Sequence, residues 1–234
     1  MENRLYRLAI VVCLLTSSVL AFQRSRSSDQ PAIAEVESAL RSQAYGRALQ
    51  LSRTALAARP RDYRMWTLQG MAYDGAHEPA SAVDAYRHAL GLLPDYLPAL
   101  EGAAQVEFKR GGKDAESLLR RILLLRPADP TTHAMLAVLQ ARQGECKDAV
   151  DHFAQARSIV DSQFPALSSY GICLAKLGRL DQAIPVFQQA LVLAPGEPTI
   201  RYTLALALRE VRRYDDAIEA LTPEELLAPV DWLG

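Results

Sequence analysis

The chain repeats itself at a fixed interval, and that interval decides most of what it can become. Ala48, Ala82, Ala115, Ala149, Ala183 and Ala217 follow one another at steps of 34, 33, 34, 34 and 34 residues. Pro60, Pro94, Pro127, Asp161, Pro195 and Pro229 keep the same steps, and Val36, Gly70, Ala104, Ala137, Gly171 and Ala205 run at 34, 34, 33, 34 and 34. A constant period of this length is the mark of stacked small units, none of which buries its apolar face alone. The missing residue falls between Ala104 and Ala115, where "KRGGKDA" is shorter than its counterpart "AKLGRLDQA". A one-residue deletion is tolerated in a turn, whereas in a helix it rotates a face by about 100°.

Each unit reads as two helices. In "FPALSSYGICLAKLG" the residues Leu167, Tyr170, Gly171 and Leu174 stand at i, i+3, i+4 and i+7, one helical face, and Gly178 follows as a stop. "DQAIPVFQQALVLAP" places Ala183, Phe187, Ala190 and Leu191 on one face before Pro195, with Pro185 expected near the helix start, where a missing N–H matters little. The small residues of the alanine and glycine series mark places where two helix axes approach closely. The expected fold is all-α.

Composition narrows the function classes. Lys and Arg number 26 and Asp and Glu 27, a net charge of -1, so no general field draws the molecule to nucleic acid. Arg4 and Arg7, the apolar run "LAIVVCLL" and the exit "TSSVLA" have the layout of a signal peptide over 1–21. The alternative is an uncleaved membrane anchor over residues 8–22, since Arg24 and Arg26 follow the proposed cut. Residues 22–28 read as a flexible tether.

The spacing and residue types resemble the tetratricopeptide repeat (TPR). In the second repeat its pattern is met by Trp66, Gly70, Tyr73, Ala82, Tyr86, Ala89 and Pro94. The repeats are placed at 29–62, 63–96, 97–129, 130–163, 164–197 and 198–229, with a tail at 230–234. Gln69 stands where the pattern has Leu, Ser52 replaces an aromatic, and Asp161 replaces the closing Pro of the fourth repeat. The last repeat departs most, and Leu226, Leu227 and Trp232 are expected to fold over its exposed layer, or else to form a partner-binding tail. The resemblance implies a right-handed superhelical solenoid of antiparallel helix pairs.

It also implies a concave groove, lined by the first helices, that holds peptides or helices of partner proteins. Repeat positions 2, 5, 9 and 12 carry this role over to Arg64, Thr67, Met71 and Asp74; to Glu101, Gln105 and Phe108; to Thr131, Ala134 and Val138; to Ser168, Ile172 and Ala175; and to Tyr202, Leu206 and Arg209. Phe108 and Tyr202 stand out, because aromatics give large contact area at small entropic cost. Met71, Val138, Ile172 and Leu206 have a packing role between first helices as their alternative. The carboxylate clamp of chaperone-binding members, Lys and Asn at positions 5 and 9, is replaced by Ile33 and Glu37 in the first repeat and by Thr67 and Met71 in the second.

No arrangement of residues reads as catalytic, and no cofactor or metal is expected. His77, His88, His133 and His152 fall at different repeat positions without metal-ligand spacing. Cys146 and Cys173 occupy positions 17 and 10 of neighbouring repeats, both places for small or apolar residues. With the TPR arrangement of antiparallel helices they come within about one turn of each other, so core packing and a disulfide are both open. The expected function is a non-catalytic interaction scaffold of the cell envelope, exported or periplasmic. The alternative is an accessory subunit of an envelope enzyme, assembly or secretion complex. Partners are protein segments and not nucleic acid, with membrane contact only through an uncleaved N-terminal segment.

Overall fold

The computed structural model describes residues 31–221. The signal-like segment, the tether and the tail lie outside them, as do Leu226, Leu227 and Trp232. Among the described residues there is no strand, and no helix is long and apolar enough to cross a membrane.

The chain divides at Arg110 into two bodies. The N-terminal body holds α1 (residues 31–41), α2 (Tyr45–Ala58), α3 (Tyr63–Gly75), α4 (Pro79–Leu92) and α5 (Leu97–Arg110). The C-terminal body holds α6 (Ala115–Leu125), α7 (Pro130–Gln143), α8 (Cys146–Gln155), the single turn α9 (Arg157–Val160), α10 (Phe164–Lys176), α11 (Leu180–Leu193), α12 (Pro198–Glu210) and α13 (Tyr214–Leu221). In the first body α3 packs on α4 and, across the layer, on α5. In the second, α7 pairs with α8, α10 with α11 and α12 with α13, while α7, α10 and α12 also touch as successive first helices. The one-residue deletion lies in the turn between α5 and α6, as the period predicts.

Side-chain size explains the pairing. Repeat position 24 is filled by buried Tyr86, Leu119, Phe153 and Phe187, and burial of each such side chain contributes about 1.5–3 kcal/mol. Opposite Tyr86 and Phe187 stand glycines of the small-residue series. A methyl group added at Gly171 would lie 2.5 Å from the Phe187 ring, and one at Gly70 would lie 2.7 Å from the Tyr86 ring. Glycine is therefore required there by the closeness of the helix axes, because a ring fills the space a side chain would take. The first repeat reverses the sizes, with Val36 in the small-residue series and buried Ser52 at position 24.

The turn between paired helices is one device used repeatedly. Residue 15 of each repeat has positive φ: Gln43 (56°), His77 (61°), Gly111 (68°), Gly144 (85°), Gly178 (72°) and Arg212 (63°). In five of the six turns the N–H of residue 16 donates to the carbonyl of residue 11, as in Glu78 to Tyr73 at 2.9 Å and Arg179 to Leu174 at 2.9 Å. The N–H of residue 15 donates to residue 12, as in Gly178 to Ala175 at 3.0 Å. This left-handed stop closes the first helix and satisfies its orphan carbonyls.

Two local expectations change. Pro185 is the sixth residue of α11 and not part of its first turn, so it removes an interior N–H donor, at an exposed position of the helix. The second helix of the fourth repeat is broken at Ala156 into α8 and α9. Beyond the break, where the pattern's proline is missing, Asp161 pairs with Arg157 at 2.7 Å and its carbonyl accepts from Gln189 of α11 at 3.0 Å.

Candidate functional site

The groove positions fall in both bodies and behave differently in each. In the N-terminal body Asp62 caps α3, accepting from the Arg64 N–H at 3.0 Å, and also lies 3.5 Å from the Arg64 guanidinium. Thr67 is only 2% exposed and donates its hydroxyl to the Tyr63 carbonyl at 2.8 Å. It is a packing residue rather than a groove contact. Met71 is 38% exposed, Glu101 and Gln105 are exposed, and Phe108 is half-buried. Asp74 pairs with Lys109 at 3.8 Å and so links α3 to α5.

In the C-terminal body four assigned residues converge. Ile172 and Ala175 of α10 and Leu206 and Arg209 of α12 line one cleft of about 360 Å³. Lys176, Leu180, Thr203, Ala207 and Glu210 complete the same wall, and sequence positions alone did not single them out. Lys176 lies four residues after Ile172, on the same helical face, which is the signal that would have found it. Tyr202, one turn before Leu206, is 58% exposed. The cleft thus has an apolar floor and charged edges, with Lys176 on α10 and, on α12, Arg209 lying 3.2 Å from the Glu210 carboxylate. Thr131 is exposed, Val138 is half-buried against the core, and Ala134 is buried. Ser168 turns back on its own helix, donating to the Phe164 carbonyl at 2.8 Å.

Cys146 and Cys173 are joined as a disulfide with α-carbons 4.8 Å apart, tying α8 to α10. Position 17 of one repeat and position 10 of the next therefore meet more closely than one helical turn. Among the described residues no group of three or more His, Cys, Asp or Glu is arranged to hold a metal ion.

The histidines are less scattered than their positions imply. His133 and His152 approach with Nδ1 atoms 2.8 Å apart, and His133 is 4% exposed. His88 stacks on Trp66 with ring centroids 4.5 Å apart. Burial and the neighbouring His133 lower the pKa of His152 below its usual 6.5. Burial also holds the Tyr86 hydroxyl protonated well above the usual tyrosine range, and Asp74 adds to the effect.

Known proteins agree with this architecture. Two family models, each described as tetratricopeptide repeat, match residues 33–96 and 174–223. Superkiller protein 3 of Schizosaccharomyces pombe is 25% identical over 171 residues, 70% of this chain and 12% of that protein. Anaphase-promoting complex subunit 3 of the same yeast is 21% identical over 179 residues, 76% of this chain and 27% of that protein. The chain thus spans a small part of either relative. Among solved structures YrrB, described as a TPR protein with an unusual peptide-binding site, aligns with a TM-score of 0.65 at 21% identity, over 77% of this chain and 93% of that one. MamA aligns with a TM-score of 0.61 at 19% identity, over 70% of this chain and 90% of that one. These likenesses establish the fold, and the chain carries tetratricopeptide repeats.

Proposed function

We propose that this chain of tetratricopeptide repeats is a non-catalytic scaffold of the cell envelope that captures segments of partner proteins on its first helices. The observation that carries the reading is the cleft between α10 and α12, where Ile172, Ala175 and Leu206 form an apolar floor beside Lys176 and Arg209. Such a surface suits an apolar or amphipathic peptide, because the floor supplies burial while Lys176 and the Arg209–Glu210 pair at its edges fix the orientation of the peptide's polar groups. The envelope location is supported by the signal layout of residues 1–21 and by the Cys146–Cys173 disulfide, which persists in oxidising compartments.

Affinity capture from envelope fractions, comparing the parent chain with Leu206→Asp and Tyr202→Ala, tests this. Loss of the same captured proteins from both variants, with unchanged helical content, is the expected result. Retention of all of them overturns the cleft assignment. A captured protein at fixed stoichiometry that survives dilution identifies the chain as an accessory subunit, whereas exchangeable partners identify a general scaffold.

A further inference from the structure

Charge is not shared evenly among the outer, second helices. α4, α6, α8, α11 and α13 each carry at least one carboxylate, as in Asp84, Glu116, Asp148, Asp181 and Asp215. α2 carries none, and its charges are Arg47 and Arg53. Around it the run from Ser38 to Arg61 holds Arg41, Arg47, Arg53, Arg59 and Arg61 with no Asp or Glu, and all five arginines are exposed.

Arg41, Arg47, Arg53 and Arg59 recur every six residues, so along α2 the cations are spaced by about 9 Å from Arg47 to Arg53 and again to Arg59 at the C-cap. α2 buries Ala48, Leu49, Ser52 and Leu56, which turns Arg47 and Arg53 to the two edges of its outer face. Between them that face holds Gln50, Thr54 and Ala57, all exposed and all shorter than arginine. The guanidinium groups therefore stand furthest out, and a flat partner meets them together.

The groups that pair with these arginines leave most of the charge in place. Arg53 donates to the neutral Tyr73 hydroxyl at 3.1 Å, and Glu78 at the start of α4 acts on it less than Tyr73 does. Arg41 lies 3.8 Å from Glu37, with the two side chains 71% and 46% exposed, where such a pair is worth little. Asp62, the carboxylate that follows the run, caps α3 and faces Arg64. Five arginines against Glu35 and Glu37 give residues 31–61 a net charge of +3. Outward guanidinium groups over short side chains suit phosphate headgroups, which arginine grips with two N–H bonds at once. The α2 face has neither interleaved aromatics for nucleic-acid bases nor an apolar floor for a peptide. In the sequence eight residues separate the apolar run 8–22 from α1, a reach of about 30 Å at most, so a bilayer holding that run keeps the first repeat near its surface.

We propose that the outer face of α2, with Arg41, Arg59 and Arg61 at its ends, docks the N-terminal body on an anionic bilayer surface. The contact belongs to the folded chain, is separate from the protein-binding cleft, and adds to any membrane contact made by residues 8–22.

Co-sedimentation of the full chain at low salt, with vesicles of phosphatidylcholine alone and of phosphatidylcholine and phosphatidylglycerol in equal parts, tests it. The ratio of the two partition constants removes what the apolar run contributes to both. The parent chain is expected to favour the anionic vesicles. Arg47→Gln, Arg53→Gln and Arg61→Gln together are expected to reduce that preference by about a hundredfold, roughly fivefold for each charge, with helical content unchanged. Arg142→Gln, Lys147→Gln and Arg179→Gln, which remove the same charge from the C-terminal body, are expected to keep it. Equal binding to both kinds of vesicle, or equal losses from the two sets of variants, overturns the proposal. Tighter binding to duplex DNA than to the anionic vesicles, lost in the first set of variants, also overturns it and gives the face to nucleic acid.

Discussion

Gln69 donates its side-chain amide to the Ser52 hydroxyl across 3.3 Å, and both groups are buried between α2 and α3. These are two departures from the repeat pattern, a polar residue for Leu and a small hydroxyl for an aromatic, and the structure shows them to be one feature. The Ser52 hydroxyl also donates to the Leu49 carbonyl at 3.1 Å. Ser52→Ala is expected to cost about 1–3 kcal/mol, since the Gln69 amide is left buried without its partner. The double change Ser52→Ala with Gln69→Leu is expected to recover most of that. A double-mutant cycle by urea unfolding checks it, and additive losses would contradict the pairing.

The left-handed turn residue gives a second prediction. Gln43, His77 and Arg212 hold positive φ without being glycine, at the position where Gly111, Gly144 and Gly178 sit. His77→Gly and Arg212→Gly are each expected to stabilise by about 0.5–1 kcal/mol, and Gly178→Ala to destabilise by about 1 kcal/mol. Thermal midpoints of the three variants read this directly.

The disulfide links residues 27 apart in sequence and closes α8 onto α10. Its removal by Cys146→Ser with Cys173→Ser is expected to lower stability by about 3 kcal/mol against the oxidised parent. Against the reduced parent the loss is expected to be much smaller. Unfolding curves with and without reductant distinguish the two contributions.

The acid sensitivity of the fold has a defined sign. The folded pKa of His152 lies below the unfolded value of 6.5, because burial and then His133 disfavour its charged form. The folded chain therefore binds fewer protons than the unfolded chain, and this contribution is fully present above about pH 6.5 and is lost as the pH falls toward the folded pKa. A midpoint that rises on acidification from pH 7 would contradict it.

Much of the architecture was legible because it repeats. Periodic alanines and glycines locate the close crossings, and the turn glycines and prolines mark where helices stop. What residues do within a helix was less legible. Thr67 and Ser168 stand at groove positions, yet each hydroxyl bonds the carbonyl four residues back, and Thr67 is buried as well. Position within a repeat specifies a helix face but not the rotamer. The pairing of His133 with His152, 19 residues apart, depends on how α7 and α8 register. Lys176 escaped notice because it stands at position 13, one place beyond the last position assigned to the groove.

The central claim is that partners are held on the first helices and not on the outer second helices. A photo-crosslinking residue placed at Tyr202 on α12, and in a second preparation at Val192 on α11, which is 78% exposed, tests it in native cells. The account predicts discrete protein adducts from position 202 and none in common from position 192. Adducts from position 192 alone, or the same adducts from both, would contradict it.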